Sequence, residues 1–176
     1  MKSFSFYKIT TISNIYFNHA WDLYKSSFPT NEKRTIKEQE TIMQKELYTF
    51  MACYKYDMFL GIIGFWKIDN YIFIEHFAID KELRGQNYGS QILNDFFTKY
   101  SNIFLEIDPP ICDISKRRLN FYKSLGFVEN NIHHIQVPFR KNDTPLILEI
   151  LSLPNPLSQN IYNSIYTKMK LLLINS

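Results

Sequence analysis

Hydrophobic and polar positions alternate at the start of the chain. Phe4 and Phe6 stand between polar neighbours, and Ser3–Ile9 reads as a first strand. The period then lengthens. Phe17, Ala20, Trp21, Tyr24 and Phe28 recur at spacings of three and four, which predicts a helix that Pro29 ends. Thr30–Leu47 reads as a loop and a second, more polar helix, with Ile36, Met43 and Leu47 on a thin apolar face. Three short apolar runs follow, Tyr48–Tyr54, Phe59–Lys67 and Tyr71–Ile79, separated by "KYDM" and "DN". Turns this short predict an antiparallel meander.

Beyond the meander the periods alternate again. A helix is expected from about Tyr88 to Tyr100, with Ile92, Leu93, Phe96 and Phe97 inward, and then a strand over Ile103–Ile107. A further helix runs from about Ser115 to Leu125, with Leu119, Tyr122 and Leu125 at helical spacing and Gly126 at its end. Ile132–Phe139 and Leu146–Leu151 look like a hairpin around "RKND". After "PNP", a last helix over about Ser158–Ile174 carries Ile161, Ile165, Met169 and Leu172 on one side. The order predicts an α/β fold: one mixed sheet with helices on its faces.

Composition adds bounds. The 176 residues suit one domain with a substantial core, and the 45% hydrophobic and 21% charged content is ordinary globular material. A net charge of +3 is too slight to argue for nucleic acid. Cys53 and Cys112 show neither a disulfide framework nor a zinc spacing, and read as free thiols in a reducing compartment. "MKSFSFYKIT" lacks the features of a secretory signal, and no apolar run approaches membrane-spanning length. A cytoplasmic protein that engages no membrane is expected.

The stretch "AIDKELRGQNYGSQILNDFF" raises the chemical question. It joins a strand to a helix through Arg84 and two of the five glycines in the chain, Gly85 and Gly89. A loop entering a helix directs unpartnered N–H groups and a positive dipole end outward, so N–H groups from about Gln86 to Ser90 suit a diphosphate. A plain turn is the competing reading. The dinucleotide and P-loop fingerprints both fail.

"AIDKELRGQNYGSQIL" resembles the acetyl-CoA signature of the GNAT superfamily of N-acyltransferases, Arg/Gln-x-x-Gly-x-Gly/Ala. Arg84 takes the first place, Asn87 stands where the first glycine is usual, and Gly89 takes the second. Asn is the next best residue after Gly for a left-handed backbone. "SKRRLNFYKSLGF" resembles the family's later helix, with Phe121-Tyr122 and Gly126-Phe127 both in place. The resemblance covers Tyr48 to Phe139.

It implies a single GNAT-like domain over residues 1–176, with a mixed, mostly antiparallel sheet of six to seven strands and helices on both faces. It implies acetyl-CoA as co-substrate, with its pyrophosphate on Arg84, Gly85, Gln86, Asn87, Tyr88, Gly89 and Ser90. In the family the strand matching Tyr71–Ile79 splays from the one matching Ile103–Ile107, and the acyl arm pairs with backbone near Phe77, Ala78 and Ile79. Ser115 takes a position that often contacts the pantetheine arm, and Phe121 belongs to the same helix motif. Tyr122 matches the position that supplies a proton to the departing thiolate; a packed residue on the helix's apolar stripe is the competing reading. The loop between the first two helices, with Phe28, Glu32 and Arg34, borders the family's acceptor. There Glu32 would hold a cationic amine and Arg34 a carboxylate; solvated loop charges are the competing reading.

The residues themselves suggest a base. Strand alternation sets Glu75 with Phe73, Phe77 and Ile79, where apolar neighbours would raise its pKa as a general base requires. His76 or a water chain are the alternative bases, and a structural carboxylate accepting hydrogen bonds, or an exposed one, is the competing reading of Glu75. His133 and His134 are adjacent on a strand and face opposite ways, so no metal is expected.

The expected function is therefore transfer of an acetyl group from acetyl-CoA to a primary amine, on a small molecule or a peptide, by direct attack in a ternary complex. A non-catalytic acyl-CoA sensor is the first rival and an ATP-binding α/β protein the second. The C-terminal helix permits a homodimer without requiring one.

Overall fold

The computed structural model describes residues 4–140 and 144–173. Two units pack within the chain: residues up to Trp66 together with Ile74–Lys99, and Lys67–Phe73 together with the residues from Tyr100 onward.

The first unit contains β1 (Ser5–Ile9), α1 (Phe17–Ser27), α2 (Ile36–Ile42), β2 (Tyr48–Lys55), most of β3 (Met58–Ile68), residues 74–79 of β4 (Tyr71–Ile79), and α3 (Tyr88–Phe97). The expected meander is present: β2 pairs antiparallel with both β1 and β3, and β4 lies beside β3. Phe50 is paired with Gly64 and its neighbour Thr49 with Phe65, so Phe50 and Phe65 point to opposite faces. Tyr24 of α1 packs edge-on against Phe50, with centroids 6.0 Å apart. Phe96 of α3 meets Phe65 at 5.3 Å. Helices thus cover both faces of this part of the sheet. At Gly61 a Cβ would stand 2.3 Å from the Ala78 carbonyl oxygen, so only glycine lets β3 approach β4 this closely.

The second helix departs from its sequence pattern. It spans seven residues, opened by a capping box in which Glu38 N–H donates to Thr35 Oγ1 (3.3 Å) and Thr35 N–H to Glu38 Oε2 (2.6 Å). Met43 is buried as expected, but Ile36 and Leu47 are exposed, and Gln39 and Ile42 are buried instead. The helix ends too early to carry Leu47 inward. The Gln39 amide nitrogen donates to the Tyr48 hydroxyl at 3.3 Å, which offsets part of the cost of its burial.

The second unit contains β5 (Ile103–Ile107), α4 (Asp113–Ser124), β6 (Val128–Glu129), β7 (His134–Ile135), β8 (Ile147–Leu153) and α5 (Gln159–Leu173). β8 pairs antiparallel with β5, β6 and β7. Phe73, at the start of β4, stacks on Phe104 of β5 at 5.1 Å. The expected Ile132–Phe139 strand is reduced to the two residues of β7, and β6 appears where no strand is expected. Asn130 explains the break. Its buried side chain donates to the Ile150 carbonyl and Ser152 Oγ and accepts from Leu157 N–H, so beside its own N–H bond to Ile150 the chain is held to β8 by a side chain there. Residues 141–143, in the expected hairpin tip, lie outside the described residues, as do Ser3 and Ile174 at the expected ends of the first strand and last helix.

Two further boundaries differ. α4 starts two residues before Ser115, and the buried side of α5 is Tyr162, Ile165, Met169 and Leu173, with Ile161 38% exposed. The described residues form eight strands, against the six to seven expected, in a mixed, mostly antiparallel arrangement.

Candidate active site

The loop between β4 and α3 is built as an open turn. Asp80 Oδ1 accepts from Glu82 N–H at 3.0 Å, nucleating a 3-10 turn over Lys81–Leu83. The backbone then turns left-handed at Gly85 (φ 77°) and at Asn87 (φ 64°), immediately before the first residue of α3. Asn87 therefore adopts the conformation for which glycine is usual. A Cβ on Gly85 would meet nothing within 4 Å, and Arg84 through Asn87 are exposed. Arg84 Nε donates to the Ile79 carbonyl (3.1 Å) and Gln86 Nε2 to the Glu82 carbonyl (3.0 Å), so both side chains fold along the loop's own entry. α3 is ten residues long, and its first-turn N–H groups at Tyr88, Gly89 and Ser90 have no intrahelical acceptors. Upstream, Ala78 is buried and Phe77 and Ile79 are half-buried.

Within the same unit, Glu75 overturns the expectation of a raised pKa. Burial alone would push its carboxyl up. The guanidinium of Arg34 outweighs that, with Nη1–Oε2 at 2.7 Å and Nη2–Oε1 at 2.9 Å, and His76 adds a further favourable contact (Nδ1–Oε2 3.3 Å). The net effect holds Glu75 well below the usual carboxylate range. Such a group stays ionised and is a poor proton acceptor. The side chains of Arg34 and Glu75 are only 2% and 4% exposed. Arg34 is thus neither a solvated loop charge nor open to a substrate carboxylate, because its planar fork already holds Glu75. Sequence spacing could not show this, since the partners are 41 residues apart.

Elsewhere in the loop between α1 and α2, Phe28, Glu32 and Lys33 are half-buried and Pro29, Thr30 and Asn31 are exposed. Phe28 packs edge-on against His76 at 4.5 Å, and the Glu32 carbonyl accepts from His76 Nε2 at 2.8 Å. Glu32 is half-buried, and nothing in its placement assigns it an amine.

The second unit carries Tyr122, Phe121 and Ser115. Tyr122 is buried, edge-on to Phe121 (5.1 Å) and Phe127 (5.5 Å). Burial pushes its phenol up to about 12, partly countered by Arg118, so it is protonated at neutral pH. Ser115 differs from expectation. Its hydroxyl donates to the Cys112 carbonyl and accepts from Cys112 N–H, both at 3.1 Å, which makes it part of the start of α4. A buried hydroxyl in a cap is committed to backbone. Sequence reasoning also missed a buried chain in which His134 lies between Tyr162 Oη (2.9 Å from Nδ1) and Glu106 Oε1 (2.6 Å from Nε2). The local pattern around His134 carries no signal of it, because both partners lie 28 residues away in the chain.

Among the described residues no three His, Cys, Asp or Glu side chains gather as a metal site, and no helix is long and apolar enough to cross a membrane.

Residues 26–136 match the acetyltransferase (GNAT) domain, more than half of the chain, and the chain belongs to that family. It is an acyl-CoA-dependent N-acetyltransferase. The Bacillus subtilis (strain 168) protein named "Putative acetyltransferase YjbC" is 23% identical over 150 residues, 77% of each chain. A solved GNAT-family structure from Bacteroides thetaiotaomicron is 25% identical, with a TM-score of 0.91 over 98% of this chain and 99% of its own. A GNAT acetyltransferase from Elizabethkingia anophelis, solved with acetyl-CoA bound, shares the fold at 14% identity, a TM-score of 0.58, and coverage of 86% of this chain and 98% of its own.

Proposed function

We propose that residues 1–176 act as one N-acetyltransferase domain that passes an acetyl group from acetyl-CoA directly to a primary amine on a small molecule or peptide. The observation that carries this reading is the Arg84–Ser90 turn. It is exposed from Arg84 to Asn87, left-handed at two positions, and leads into a helix whose first N–H groups have no intrahelical acceptors. Each charge-assisted hydrogen bond to a diphosphate there contributes about 1.5–3 kcal/mol. The open space beside Gly85 fits such a ligand.

Acetyl-CoA supplies a thioester carbonyl, with the thiolate as leaving group. The amine nitrogen bonds to that carbon, the C–S bond breaks, and the thiolate takes a proton. Tyr122 supports the last step as a hydrogen-bond donor: its phenol is protonated at neutral pH and can stabilise the departing thiolate as that sulfur takes up its proton. With Glu75 ion-paired and His76 Nε2 bonded to a carbonyl, the ammonium proton leaves to water in this scheme. The rate then rises with pH as the acceptor's own amine is neutralised.

The test pairs binding with turnover. Tyr122→Phe is expected to lower kcat by about tenfold or more while calorimetry gives an unchanged Kd for coenzyme A. Acetyl-CoA should raise the Tm and ATP at equal concentration should not. A wild-type protein that shows no heat with coenzyme A defeats the reading.

A further inference from the structure

The segment between α1 and α2 is tied to β4 at two residues that flank a single position. At Glu32, the main-chain carbonyl accepts from His76 Nε2 at 2.8 Å. At Arg34, the guanidinium grips both Glu75 oxygens, and the main-chain N–H donates to the Tyr24 hydroxyl at 2.8 Å. The guanidinium carbon also lies 5.5 Å from the centre of the Tyr48 ring and 6.0 Å from that of Trp66. From Thr35 onward the capping box of α2 fixes the chain. A surface loop does not ordinarily bury an arginine. Desolvating this pair is costly, and a well-packed apolar pair would give comparable stability. What the ion pair adds is direction, because a bidentate fork permits one orientation.

That direction has a chemical use. Glu75 and His76 immediately precede Phe77–Ile79, and β4 runs on into the Arg84–Ser90 turn. One strand therefore carries both the tie to the Phe28–Arg34 loop and the entry to the turn proposed above for the diphosphate. We propose that Arg34 and Glu75 are positioning residues, a buried clamp that sets where the Phe28–Arg34 loop presents its acceptor-facing groups. This rests on the acetyltransferase reading above and assigns Glu75 no proton transfer. The acceptor class it fits is an amine whose binding depends on loop 28–34 and not on Arg34 itself.

The experiment compares the full-length wild type with Arg34→Lys, Glu75→Gln and the apolar pair Arg34→Met/Glu75→Leu. Three readouts are taken: amide exchange over residues 28–35, calorimetric affinity for coenzyme A, and steady-state kinetics with polyamines, amino-acid amides and short peptides bearing free N-termini. The clamp predicts faster exchange in that segment for every variant, the apolar pair included even where its Tm returns to wild-type. It predicts a rise of about tenfold or more in the KM for amine, with kcat and coenzyme A affinity little changed. Unchanged exchange and unchanged amine KM across the variants would overturn it. So would a collapse of kcat in Glu75→Gln with exchange unaltered, which would make Glu75 the base. Absence of coenzyme A binding by the wild type would defeat the transferase reading instead, and the exchange data would still decide whether the clamp holds the loop.

Discussion

At the scale of single residues, Asn87 is the informative departure from the family signature. It holds φ 64° and ψ 9° directly ahead of α3, a conformation that costs most L-residues roughly 1–2 kcal/mol. Asn87→Gly is therefore expected to keep coenzyme A affinity, and Asn87→Val to weaken it by about tenfold, as read by calorimetry. Equal affinities in the two variants would mean that the turn does not need this backbone shape. Asn87 and Gly85 were legible in the sequence because left-handed turns accept few residue types. The fate of Glu75 was not. A strand's alternation tells which face a side chain leaves from, but the charge that meets it comes from a remote loop.

At the scale of elements, the second unit depends on a polar seam that amphipathic patterning underestimates. α5 was expected to bury Ile161 and Leu172, and it buries Tyr162 and Leu173 instead. The rotation follows from Tyr162 reaching His134, which is itself bonded to Glu106. Tyr166 stacks on Tyr162 and donates to the Ile135 carbonyl at 2.7 Å. A helix face is chosen by the sum of such contacts, and a large ring with a satisfied hydroxyl competes well with isoleucine. Tyr162→Phe leaves the buried His134 Nδ1 without that partner, and is expected to destabilise the protein by about 1–3 kcal/mol in urea unfolding. A change within error would show that water replaces the hydroxyl.

At the scale of the whole molecule, the buried ion pair should set the acid limb of stability. Glu75 has a folded-state pKa below its unfolded value. Its contribution is thus complete above an unfolded pKa of about 4.3, and is lost as pH falls below that value toward the folded one. At neutral pH Glu75→Gln leaves a buried arginine with a neutral partner and should lower the Tm. As pH falls below about 4.3, where the unfolded carboxyl takes up a proton that the folded one still resists, the gap in Tm between the two proteins should narrow. Thermal unfolding across the acid range checks this, and a constant gap would show that Glu75 carries no charge-dependent stability.

Sequence alone determined the order of helices and strands apart from β6, the antiparallel meander, the strand–turn–helix at Arg84–Ser90 and the family. Each depends on residues near one another in the chain, through periodicity, turn chemistry and helix-end geometry. Tertiary structure alone decided the partners of the polar and charged groups. Arg34 meets Glu75, Ser115 turns back to Cys112, Asn130 interrupts a strand, and His134 bridges Tyr162 to Glu106. Most of those contacts join segments far apart in sequence, and whether a buried charge becomes a base or a clamp depends on which charge folding brings beside it.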